Sequence, residues 1–146
     1  MAYKSFFKPR NKSKYMGDFN NIVCRSTWEY QLASWADRNS SIVKWGIESV
    51  ILGYFDKGNG KKRDYYVDFY FEFNDGKKWL IEVKPRNQTM PPPKQKRLTR
   101  KYVNAVRTYA TNTSKWEYAR IFAEKNGMKF YVWTEDHLRK LGLNVL

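Results

Sequence analysis

Three residues have types and spacing that promise chemistry: Asp68, Glu82 and Lys84. Each acid interrupts a strongly apolar, strand-like run, Val67-Asp68-Phe69 and Ile81-Glu82-Val83, where a merely solvated face would tolerate Thr or Gln. Residues 64–84 read as one β-hairpin around Asn74-Asp75-Gly76. Val67, Phe69, Phe71 and Phe73 alternate on its first strand, and Trp79, Ile81 and Val83 on its second. The two apolar sets must share a face. That sets Phe73 opposite Lys77 and gives a three-residue loop with Gly76 in the left-handed position. A two-residue turn would set Phe69 against Glu82 and is disfavoured. In the favoured register Asp68 faces Glu82, with Cβ atoms about 4.5–5.5 Å apart. Lys84, two residues beyond Glu82, lies on the same face.

Facing carboxylates repel unless something positive sits between them. Mg²⁺ takes one or two protein carboxylates, water and a substrate phosphate. Held there, it can generate hydroxide and stabilise an in-line phosphoryl displacement. Lys84 adds a positive charge able to orient the attacking water or neutralise the transition state. Glu29 could supply a further ligand from the first helix. Plainer readings exist for each. Ser26 and Glu29 form a Ser-x-x-Glu capping box, which alone accounts for Glu29. Asp68 and Glu82 would also suit a solvated sheet face neutralised by Lys78 and Lys84.

These side chains need elements to hold them. A helix is predicted from Ser26, with Trp28, Leu32, Trp35 and Ala36 at helical spacing and Asn39-Ser40 ending it. Ile42–Ile47 and Val50–Phe55 read as strands, and Lys57–Lys62 as a turn. After the hairpin, Pro85 ends the strand and Pro91-Pro92-Pro93 makes a stiff connector. A helix is predicted over about Lys94–Thr111, with Leu98, Tyr102, Ala105, Val106 and Tyr109 on one side. Ser114 and Glu117 form a second capping box, opening a helix that ends near Asn126-Gly127. Met128–Trp133 reads as a strand, and Thr134 caps a last helix to Leu141. The order αβββαβα is that of an α/β domain, a mixed β-sheet flanked by helices. Residues 1–25 form a basic arm lying on the domain or on its ligand, and residues 26–146 form the single domain.

Composition bounds the partners. The chain has 146 residues, 42 % hydrophobic, enough for one core. Its 28 Lys and Arg against 14 Asp and Glu give a net charge of +14, which implies a polyanionic partner. Nucleic acid is the first candidate and an anionic membrane surface the second. No apolar run approaches the roughly 18 residues of a spanning helix, and Met1–Arg10 lacks the apolar core of a secretory signal. The expectation is a soluble intracellular protein that does not bind membranes. Cys24 is the only cysteine and His137 the only histidine, too few for a structural Zn²⁺ site. His137 reads as structural, so carboxylates and lysine must carry any hydrolysis.

Between Val83 and Trp116 there are nine Lys or Arg and no acid. Such a run can be a solvated helix face. Following Lys84 directly, it reads here as a DNA surface of Arg86, Lys94, Lys96, Arg97, Arg100, Lys101 and Arg107. Phosphate contacts of this kind give salt-sensitive affinity without sequence specificity. Tyr66 and Tyr70, flanking Asp68 on its face, are candidates for substrate contact, although most of the aromatics fill the core.

The pattern Glu29, Tyr66-Val67-Asp68, Glu82-Val83-Lys84 resembles the PD-(D/E)XK, or restriction-like, nuclease superfamily. Val67 stands where that family usually has proline. The wider context is similar to two of its groups, the TnsA-type endonuclease subunits of transposases and the head completion nucleases of T-even-type tailed phages. It comprises Arg25-Ser26-Thr27-Trp28-Glu29, Val43-Lys44-Trp45 with Glu48, Tyr65–Phe69 and Leu80–Pro85. Chain length and Phe130–Glu135 suit the phage group better. The resemblance covers residues 15–141 and implies a restriction-endonuclease-like fold. It implies Mg²⁺, with Mn²⁺ substituting, on Asp68, Glu82, the Val83 carbonyl and Glu29. Lys84 would position or activate water, and Glu48 is a further, weaker candidate. The implied products carry a 5′-phosphate and a 3′-hydroxyl. The implied role is end- or structure-directed DNA cleavage during head completion, in the host cytoplasm or on the virion, with portal or neck proteins as partners. A branched-DNA resolving nuclease and a non-catalytic head-plugging DNA-binding protein are the alternatives.

Overall fold

The computed structural model describes residues 4–145. The chain runs β1 (Ser5–Phe7), β2 (Ile22–Cys24), α1 (Thr27–Arg38), β3 (Ile42–Ile47), β4 (Ile51–Asp56), β5 (Lys61–Tyr66), β6 (Phe69–Phe73), β7 (Lys78–Val83), α2 (Arg100–Lys125), β8 (Lys129–Trp133) and α3 (Glu135–Lys140). The main sheet has the order β3-β6-β7-β8, antiparallel except for the parallel pair β7–β8. The long connection α2 joins that parallel pair, as a crossover must. The architecture is the predicted α/β sheet flanked by helices, with hairpins β1–β2 and β4–β5 added to it.

The hairpin register follows the apolar alternation. Phe69 pairs with Ile81, Tyr70 with Leu80, and Phe71 with Trp79. The Phe73 N–H donates to the Lys77 carbonyl (2.8 Å), and Gly76 takes φ +89° in the loop between. That φ is costly for any side chain and free for glycine. One sheet face packs Phe69, Phe71 and Ile81 against Leu32, Ala33 and Ala36 of α1. The other packs Tyr70 and Leu80 against Ala119 and Ala123 of α2 and against the β4–β5 hairpin. Most aromatics do fill these cores: Trp35, Phe71, Trp79 and Trp133 form a continuous set of edge-to-face and tilted contacts.

Three expectations need correction. The strand expected to begin at 64 is two strands. Tyr65 and Tyr66 pair with Leu52 and Ile51 of β4, and the chain changes sheets at Val67-Asp68. Val67 therefore packs in the second core and not beside Phe69. The pair of helices expected at 94–111 and 114–126 is one helix, α2, that begins only at Arg100. Its cap is Thr99, whose hydroxyl accepts from the Tyr102 N–H. Ser114 is no cap: it is buried mid-helix, donates to the Ala110 carbonyl (2.7 Å) and accepts from the Lys57 N–H. Lys94, Lys96, Arg97 and Leu98 lie before the helix, all exposed.

The basic N-terminal segment folds onto the domain. The described residues 4–25 contribute Phe7, Ile22 and Cys24 to the first core; residues 1–3 of the expected arm lie outside the described residues. Lys14 Nζ caps the end of α1, donating to the carbonyls of Ala36, Asp37 and Asn39 (2.9 Å each).

The β4–β5 turn docks on α2 through Asp56. This carboxylate accepts from the Gly58 N–H (2.9 Å), Asn59 Nδ2 (2.8 Å), the Thr111 hydroxyl (2.7 Å) and Arg63 (3.2 Å). Gly58 allows the approach, because a Cβ there would collide with the Arg107 carbonyl oxygen and the Thr111 hydroxyl. No described helix is long and apolar enough to cross a membrane.

Candidate active site

Glu29, Asp68, Glu82, Val83 and Lys84 line one cleft of about 330 Å³. Three elements converge to make it. Asp68 lies in the sheet-changing link between β5 and β6, one position past the Phe69–Ile81 pair and so across from Glu82. The Val83 N–H donates to Asp68 Oδ2 (2.8 Å) and fixes that carboxylate against β7. The Asp68 carbonyl accepts from the Glu48 N–H (3.2 Å), with Glu48 held at φ +53°. This is an uncommon conformation for a residue with a side chain. Glu82 sits mid-strand on β7 and is only 5 % exposed. Lys84 follows it on the same face, and the Lys84 N–H extends the β7–β8 ladder by donating to the Trp133 carbonyl (2.9 Å).

Glu29 takes part in the start of α1 and also lines the cleft, but only half of the expected capping box forms, because its carboxylate accepts from the Arg25 N–H in place of the Ser26 N–H. Its N–H donates to the Ser26 hydroxyl (3.1 Å), and its carboxylate accepts from the Arg25 N–H (3.2 Å), so it helps start α1. From there it still reaches the cleft wall. Glu48 is engaged by Arg25 (2.9 Å) beside the cleft and does not line it.

The electrostatics are those of a site short of positive charge. Desolvation and the facing Glu82 push the Asp68 carboxyl well above the usual carboxylate range. The Val83 N–H pulls the other way without balancing them, and Glu29 adds to the repulsion. Burial also raises Glu29, with the charges of Glu48 and Glu82 contributing and Arg25 opposing. Among the described residues no three acids, histidines or cysteines converge closely enough to enclose a metal by themselves. The Asp68–Glu82 pair still fits a hard divalent cation. Two opposed carboxylates with an open side suit an ion that keeps waters and takes substrate phosphate.

Four side chains at this site escaped the sequence reading. Trp116 of α2 donates its indole N–H to Glu82 Oε2 (3.1 Å). Tyr65 lines the cleft with its hydroxyl buried and unpartnered beside Glu82, and burial and the Glu82 and Asp68 charges strongly disfavour its ionisation. Asp64 and Lys115 complete the lining. Nothing local in the sequence marks Trp116, because only the crossover of α2 over the sheet brings it to β7.

The expected DNA-contact residues are spread more widely. Tyr66 is 51 % exposed at the cleft. Tyr70 is placed differently from expectation: it is 6 % exposed, packed in the second core, and its hydroxyl donates to Glu72 (2.9 Å), so it offers no free ring to substrate. Arg86 is exposed but paired with Asp136 (3.2 Å). Lys94, Lys96, Arg97, Arg100, Lys101 and Arg107 are exposed, and none of them lines the cleft. His137 is structural, its Nδ1 accepting from the Thr134 N–H (3.0 Å). Cys24 is buried, its thiol pushed up to about 12 by burial and by Glu29.

A family model described as TnsA-like endonuclease N terminal matches residues 39–135, a span that holds Asp68, Glu82 and Lys84. The chain is also similar to the head completion nuclease of Enterobacteria phage T4, 42 % identical over 146 residues and covering 97 % of each protein. That second likeness takes in the arm and α1, which the first leaves out. Most of the sequence, the mixed sheet and the opposed acids thus agree, and the chain belongs to the TnsA-like endonuclease family, with a restriction-endonuclease-like fold.

Proposed function

We propose that this protein is a Mg²⁺-dependent DNA endonuclease that processes DNA ends during phage head completion. One observation carries the catalytic reading: Asp68 and Glu82 face each other across β6 and β7, with Lys84 and Glu29 in the same cleft. The role in head completion is supported by the near end-to-end similarity to the phage protein of that name. Asp68, Glu82 and the Val83 carbonyl hold the ion, Glu29 completes its surroundings, and Mn²⁺ substitutes for Mg²⁺. When bound, a divalent ion supplies positive charge against the phosphate and acidifies water.

The chain's own groups do the rest. The Val83 N–H and the Trp116 indole lock the two carboxylates in place, which lowers the cost of reorganisation during reaction. Lys84, which has no carboxylate partner within ion-pair distance among the described residues, is free to hold the attacking water or the charge that builds on the phosphoryl oxygens. Tyr66, exposed at the rim, contacts the substrate. The exposed cations of residues 86–107 bind the DNA backbone without reading sequence. Portal or neck proteins are the proposed partners, in the host cytoplasm during assembly or on the virion.

The test is cleavage of supercoiled, linear and branched DNA with Mg²⁺, Mn²⁺ or EDTA, comparing wild type with Asp68→Ala and Glu82→Ala. Metal-dependent cutting by wild type, lost in both variants, is expected, with linear ends preferred. Preference for branched DNA would replace end processing by junction resolution. Binding without cleavage under every metal condition would sink the enzyme reading.

A further inference from the structure

We propose that the backbone of one DNA strand, on one side of the cut, lies in a polar groove between α2 and the β4–β5 turn, where Asn104, Arg107 and Lys115 hold its phosphates. The proposal rests on the nuclease reading above and adds a path for the substrate. Asn104, Arg107, Thr108, Asn112 and Lys115 line the groove from α2, and Arg63 faces them from β5. The α2 residues recur at the spacing of one helix face. Between Asn104 and Lys115 that face rises roughly 16 Å, long enough for more than one backbone phosphate.

Four further observations point to a strand of nucleic acid. The groove joins the active site, because Lys115 lines both it and the cleft that holds Asp68 and Glu82. A strand whose phosphate sits at the acids therefore meets Lys115 next and Arg107 after it. The lining is rich in hydrogen-bond donors and contains no carboxylate. Arg107 and Lys115 have no acidic partner within ion-pair distance among the described residues, whereas Arg63 across the groove is held by Asp56, and Arg25, Lys57, Arg86 and Arg139 are each paired with an acid. Asn112, 6 % exposed, lines the groove too and makes no side-chain hydrogen bond among the described residues, so its amide is available to a ligand.

The groove suits a sugar–phosphate backbone. Its floor is closed where the Thr111 hydroxyl meets Asp56 and Gly58 abuts α2, and its polar lining is open to a backbone laid along it, free or as one strand of a duplex. No apolar side chain lines the groove, which argues against a docked protein helix.

The experiment compares wild type, Arg107→Gln, Asn104→Glu and Lys44→Gln. Lys44 is an exposed lysine on β3, at the sheet edge opposite β8, and controls for lost charge alone. Binding of linear DNA is measured in EDTA across a salt series, and steady-state cleavage is measured with Mg²⁺. Arg107→Gln should raise Kd and KM by about tenfold. It should also lower the slope of log K against log salt by about 0.7–0.9, and leave kcat at saturating DNA near wild type. Asn104→Glu, which places an anion in the groove, should weaken binding further, and Lys44→Gln should do neither. Unchanged KM and salt slope in both groove variants would overturn the path while wild-type cleavage left the nuclease reading standing. An equal loss in Lys44→Gln, or a fall in kcat with KM unchanged, would overturn it too. Wild type that neither binds nor cuts DNA would remove both readings.

Discussion

Asp56 and Asp68 close the two ends of the β4–β5 hairpin, and their surroundings are opposites. Asp56 has no solvent exposure although it lies in the outer hairpin, because its own hydrogen-bond donors cover it. Burial works against its charge, but bonds from Asn59, Thr111, Arg63 and Gly58 prevail and hold its carboxyl well below the usual carboxylate range. Asp68, half-buried at the cleft, has one donor, the Val83 N–H, and a second carboxylate in front of it. One acid is fully provided for by the fold. The other is left in deficit, which a proton shared with Glu82 or a bound cation would relieve. The number of donors around a buried acid thus separates a structural group from a reactive one better than burial does.

Neutralising the acid in deficit should have the largest effect and should pull activity and stability apart. Asp68→Asn keeps the Val83 hydrogen bond and removes the repulsion from Glu82. Cleavage should fall by about 10³-fold or more, since a metal's share of transition-state stabilisation is several kcal/mol. The metal-free protein should melt at a higher temperature than wild type. A lower melting temperature would mean that Asp68 is structural after all. Trp116→Phe comes next. It leaves both acids in place but takes the indole donor from Glu82, which should raise the Mg²⁺ concentration needed for half-maximal cutting by about 10–100-fold. Full recovery of kcat at high Mg²⁺ would confirm a positioning role for Trp116, and an unchanged Mg²⁺ dependence would remove it.

Asp56→Ala should show the reverse pattern. Its donors lose their acceptor, and Tm should drop by roughly 5–10 °C, while cleavage at low temperature stays within a few-fold. The smallest effects lie in pH dependence, where the two acids should differ in sign. Asp56, with its folded pKa depressed, gives stability that is present above the unfolded value of about 3.9 and lost as pH falls through the folded value. Asp68, with its folded pKa raised, costs the metal-free protein stability as pH climbs from that unfolded value towards the folded one. Comparing wild type with each variant across this acid range, without metal, should show the two slopes. Matching slopes would break the contrast.

The sequence carried the active pair further than it carried the elements around it. Asp68 faces Glu82 because the alternation of Phe69, Phe71, Trp79 and Ile81 admits one register, and that information is local. Ser26-x-x-Glu29 made the start of α1 legible, while Glu29 as a site residue was legible through the family resemblance. The sheet change at Val67-Asp68 was not, since Tyr65-Tyr66-Val67 looks like an unbroken strand and only pairing with β4 reveals the break. The Thr111–Ser114 stretch of α2 looked like a helix boundary. Its polar side chains instead receive the β4–β5 turn and bond back to the helix, as Ser and Thr do in such settings. Trp116, Tyr65 and Lys115 reach the site through long-range packing, which no short-range pattern encodes.

Gly58 has a mechanical consequence. It sits at the far end of the β4–β5 hairpin from Asp64, Tyr65 and Tyr66, which wall the cleft. The same hairpin also lies on α2 through Leu52, Tyr54 and Tyr65 against Ala119 and Ala123. A single methyl group inserted at Gly58 would act as a wedge at one end of that seam. The hairpin that walls the cleft is therefore clamped at its far end by a residue that has no side chain.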